Sequence, residues 1–107
     1  MLQANEIQQR FTHIQQTIKE AEQACRSGGA PDDLKDCIEK MARESQQAQQ
    51  VMQSQDQQRM VQAVDDLESM GDEAKRISRS ASSMSPQLET AVSKVHAELS
   101  QLKHQLH

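Results

Sequence analysis

Apolar side chains recur along most of this chain at alternating intervals of three and four residues. In the first segment the stripe is Ala4, Ile7, Phe11, Ile14, Ile18, Ala21 and Cys25. In the second it is Leu34, Ile38, Met41, Ser45, Ala48 and Met52, with Ser45 the one polar member. The third reads Met60, Ala63, Leu67, Met70, Ala74, Ile77 and Ala81. The fourth reads Leu88, Val92, Val95, Leu99, Leu102 and Leu106. A mean interval of roughly 3.5 residues is the seam of helices that cross at a shallow angle. A strand would alternate every second residue, and no stretch sustains that here.

The breaks between stripes carry stop and start chemistry. Arg26-Ser27-Gly28-Gly29 ends the first helix: glycine enters the left-handed region past a last turn, and Arg26 suits the negative end of the dipole. Pro31 fits the first position of the second helix, with Asp32 and Asp33 in its first turn. Ser85 is the expected N-cap of the fourth helix, followed by Pro86. A Ser-rich link, 78–83, precedes it. The junction of helices 2 and 3 holds neither Gly nor Pro. Yet 53–59 is an unbroken polar run, and Ser54 with Gln57 could form a capping box. A turn is expected there; one continuous helix through the junction is the alternative. The pattern predicts an all-α chain, a single helical domain over 1–107. Its helices span about 3–27, 31–53, 56–79 and 86–106, packed as an antiparallel up-down-up-down four-helix bundle. The alternative with helices 2 and 3 joined would give a three-helix or dimeric hairpin assembly.

Composition narrows the function classes. One Phe, no Tyr and no Trp leave no base-stacking platform. A formal net charge of −4 and an isoelectric point near 5.5 argue against nucleic acid as partner. No apolar run approaches the roughly 20 residues a bilayer span needs. The first residues have neither a basic nor an apolar signal region, so a cytoplasmic location with reduced thiols is expected.

No catalytic or cofactor constellation emerges, so no enzyme activity and no cofactor are expected. Phosphate loops, His-Glu-x-x-His, Glu-x-x-His and Cys-x-x-Cys are all missing. The acidic run 65–73 fails the calcium-loop order and keeps helical phase, so it reads as a helix face. Gly71 within it permits either a close helix approach or a kink. His13, His96, His104 and His107 lie off the stripes and read as solvated, with a loose metal set of His96, His104 and His107 as the sharper alternative. Cys25 and Cys37 read as small core residues, with a thiol site, paired or metal-bound, as the alternative. Lys75, Arg76 and Arg79 complement the dipole at the end of helix 3 or form a docking rim for an acidic partner.

Heptad stripes without catalytic residues point first to a helical interaction or scaffold protein, self-associating, a homodimer included, or docking a partner protein. A secretion-type chaperone or regulatory accessory is a second reading. A thiol- or metal-responsive small-ligand bundle is a third.

Overall fold

The computed structural model describes residues 3–54, 56–81 and 84–107. Among them the chain forms α1 (Ala4–Arg26), α2 (Asp32–Ser54), α3 (Gln57–Ser80) and α4 (Pro86–Leu106). The bundle measures 40 × 22 × 17 Å. A helix of 23 residues, the length of α1, is about 35 Å long at ~1.5 Å per residue, which accounts for the long dimension. α1 packs on α2 and α4, and α3 packs on the same two helices, closing a ring. Cross-helix bonds fix the directions. Lys75 meets Ser93, Asp72 meets His96, Glu68 meets Lys103 and Asp65 meets His107, so α3 and α4 run antiparallel. Arg10–Gln105, His13–Glu98 and Glu20–Lys94 show the same for α1 and α4.

Helix ends follow local chemistry. Gly28 and Gly29 take φ of 105° and 83°, the left-handed conformation that ends α1. Ser85 Oγ accepts from Leu88 N at 3.1 Å and caps α4 ahead of Pro86. Pro31 sits one residue before α2 rather than inside it, and its carbonyl accepts from Lys35 N. α2 and α3 are separate helices, so the continuous-helix alternative does not apply. The cap is not the expected Ser54 box. Asp56 Oδ1 accepts from Arg59 N at 3.4 Å, while Ser54 Oγ donates to Val51 O. The expected serine link is shorter than the sequence suggests, because α3 continues through Ser78–Ser80. Ser82 and Ser83, and Gln55 of the other junction, lie outside the described residues.

The stripes of α2 and α4 are buried as the spacing predicts. α1 buries its stripe from Ile7 to Cys25 and adds Thr17 and Ala24, while Ala4 is only partly covered. α3 departs from expectation. Its buried face is Met60, Val64, Leu67, Glu68, Gly71 and Ala74. Ala63, Met70, Ile77 and Ala81 are half-exposed. The two readings share Met60, Leu67 and Ala74, and the helix is turned toward α4 between them. Gly71 lies on the buried edge that faces α4. A Cβ built there would lie 3.4 Å from Leu99 Cδ1 and 3.7 Å from His96 Cα. These are ordinary contact distances for a methyl group, so α4 passes close to Gly71 but leaves room for a side chain as small as alanine.

Candidate functional site

Two kinds of surface stand out, and they lie on different sides of the ring. The first surrounds α4 and is ionic. His13 Nε2 lies 3.0 Å from Glu98 Oε1, and buried Thr17 Oγ1 donates to Glu98 Oε2 at 2.9 Å. Lys94 Nζ is 3.8 Å from Glu20 Oε2. On the other flank His96 Nε2 is 2.6 Å from Asp72 Oδ1, and His107 Nε2 is 3.0 Å from Asp65 Oδ1. His13 and His107 are exposed, as the sequence reading has them, and His96 is half-buried; each also lies within hydrogen-bond distance of a carboxylate on another helix. Periodicity within one helix carries no information about such pairs, because the carboxylate stands on another helix. His104 is exposed. The histidines do not converge on one point. Among the described residues no group of three or more His, Cys, Asp or Glu is placed to hold a metal ion.

Glu68 is the unusual member of this flank. Its side chain is only 10% exposed, and Oε2 has no hydrogen-bond partner. Lys103 Nζ stands 3.7 Å from Oε1, too far for a hydrogen bond. Burial pushes the carboxyl above its ordinary range, and the negative charge of Asp72 one turn along adds to the effect; Lys103 pulls the other way. Sequence reading missed Glu68 because it follows the shared core residue Leu67 on the flank that turns inward.

The second surface lies between α2 and α3. A groove of about 280 Å³ runs between them, floored by Ala48, Val51, Ala63 and Leu67. Glu44, Arg59 and Asp66 stand among its rim residues. Farther from the α2–α3 link, half-buried Cys37 donates weakly through Sγ to Met70 O at 3.5 Å. Among the described residues no charged side chain of α2 forms an ion pair.

The predicted docking rim is not one patch. Lys75 Nζ turns to Ser93 Oγ on α4, and Arg76 pairs with Glu73 on its own helix, which raises the guanidinium further. Arg79 is exposed at the helix end. The two cysteines are both free thiols, Cys25 buried and Cys37 half-buried. Burial pushes both thiols up; nearby Glu39 adds to this at Cys25 and Glu73 at Cys37. Compared with family models, curated proteins and solved structures, the chain matches none.

Proposed function

We propose that this chain is a non-enzymatic helical interaction module that docks a protein partner along its α2–α3 face. The observation that carries the reading is the second apolar edge of α3. Ala63, Met70 and Ile77 stay half-exposed after Met60, Val64, Leu67, Gly71 and Ala74 have filled the bundle. One helix with two apolar edges suits two packing partners. Val51 and Cys37 extend the edge onto α2. Closing such surface gains about 25 cal/mol per Å² removed from water. The charges of α2, unspent within the chain, supply a polar rim for that contact. The thiol-responsive reading is weaker, since raised thiols leave little thiolate at neutral pH.

A photo-crosslinking residue at exposed Gln47 on the groove rim, and one at exposed Gln101 beside the α1–α4 cleft, test the reading in cells that make the protein. Adducts are expected at Gln47 and not at Gln101. Equal yields at both positions, or none at Gln47, would contradict it.

A further inference from the structure

We infer that the occupant of the α2–α3 groove is the same groove of a second copy, related by a two-fold axis through its middle. The inference rests on the docking reading above and adds the identity of the partner. The charges of the rim carry it. Glu44 on α2 and Asp66 on α3 are both acidic, and both line the groove. Val51 and Arg59 are each seven residues closer to the α2–α3 link, about 10 Å along the axis. One end of the groove is therefore acidic and the other basic. Arg59 is exposed, and neither it nor Glu44 has an ion-pair partner among the described residues. Gln62 Nε2 already donates to Asp66 Oδ1 at 2.9 Å, which holds that carboxylate in place.

A half-turn about the groove's midpoint brings Arg59 of each copy against Glu44 and Asp66 of the other. The contact is made twice, as an isologous interface requires. The same operation sets Ala48 of one copy near Gln47 of the other and Ala63 near Gln62, and lays Val51 at the level of Glu44. A single-helix partner would also cover the apolar floor, but only a partner with the reverse charge order satisfies both ends. This chain supplies that order itself. The groove occupies the half of the hairpin near the link, so the interface falls at the small end of specific contacts and pairing depends on concentration.

Sedimentation equilibrium of the full chain from about 1 to 500 µM tests the inference. The expected result is a monomer–dimer equilibrium. Arg59→Glu is expected to weaken it by roughly tenfold or more, because three carboxylates then meet at each end. The paired variant Glu44→Arg with Asp66→Arg should weaken it equally. An equimolar mixture of the two variants should pair again, which also shows that both fold. Three results would overturn the inference: a wild-type chain that stays monomeric throughout, an Arg59→Glu chain that pairs as strongly as wild type, or a mixture that fails to pair. The Gln47 crosslink separates the two levels of the argument. An adduct with the mass of two chains supports self-pairing. An adduct with a different protein overturns self-pairing and leaves the docking reading standing, whereas no Gln47 adduct overturns both.

Discussion

Helices α2 and α4 hold equivalent places in the ring, each flanked by α1 and α3, yet they are fastened by different means. α4 reaches its neighbours through His13–Glu98, Lys94–Glu20, His96–Asp72, Lys103–Glu68 and His107–Asp65. α2 makes no ion pair among the described residues. Its polar ties are Gln15 Nε2 to Ser45 O at 3.1 Å and Cys37 Sγ to Met70 O. Both helices bury a full apolar stripe, so the contrast lies at their margins. Around α4 the margins are tied by polar contacts to both neighbours, although clefts of about 330 and 370 Å³ remain along its seam with α1. Around α2 the charges face water and the apolar margin is left partly open. A surface tied on one side and untied on the other has a direction, and the untied side is the one a partner can complete.

The largest effect should come from the core on the α4 side. Leu99→Ala removes a fully buried side chain facing Gly71 and is expected to cost about 2–5 kcal/mol. Val51→Ala, on the half-exposed margin, should cost under about 1 kcal/mol in the isolated chain. Urea unfolding of both variants measures the difference; equal losses would erase the contrast. Next in size is Gly71→Leu, which drives a side chain into Leu99 and should cost about 1–3 kcal/mol. Gly71→Ala meets only ordinary contact distances and should stabilise α3 by roughly 0.5–1 kcal/mol through helix propensity.

Glu68→Gln sharpens the comparison through pH. The folded carboxyl titrates above its unfolded value. Its contribution to stability is therefore complete below the unfolded pKa of about 4.3 and is lost as pH rises through the folded value. Replacing it with a neutral amide should stabilise the chain at neutral pH by about 1 kcal/mol and flatten that part of the pH profile. Urea midpoints across pH 4–8 (an interval chosen to span roughly the raised carboxyl range) check the sign. The smallest effect concerns salt. The Lys94–Glu20 pair is half exposed on both sides, so Lys94→Ala should cost about 0–1 kcal/mol and less at high salt. Arg43→Ala on α2 should be neutral within about 0.5 kcal/mol at any salt concentration.

Much of this arrangement was legible before any coordinates. Strict three-four spacing in α2 and α4 names their buried residues, because one apolar edge leaves one way to pack. α3 offered two edges that share Met60, Leu67 and Ala74, and hydropathy favoured the wrong one. Glu68 and Gly71 stand on the buried edge, and neither carries an apolar side chain that would mark it in such a pattern. The histidine–carboxylate contacts and buried Glu68 were illegible for a related reason. Each depends on the relative height and rotation of two helices, which no single stripe encodes. The basic trio Lys75, Arg76 and Arg79 looked like a patch because sequence neighbours were counted together; on the helix they point to α4, to Glu73 and to solvent in turn.

The placement of the methionines sets the order in which peroxide would damage the molecule. Met41, Met52 and Met60 are at most 1% exposed, whereas Met70 lies half-open on the seam beside Cys37. Sulfoxide should therefore form on Met70, and on half-exposed Met84 ahead of α4, while the sulfur atoms of the interior remain untouched. A polar oxygen would then stand on the open margin between α2 and α3 in a protein whose four helices are still assembled.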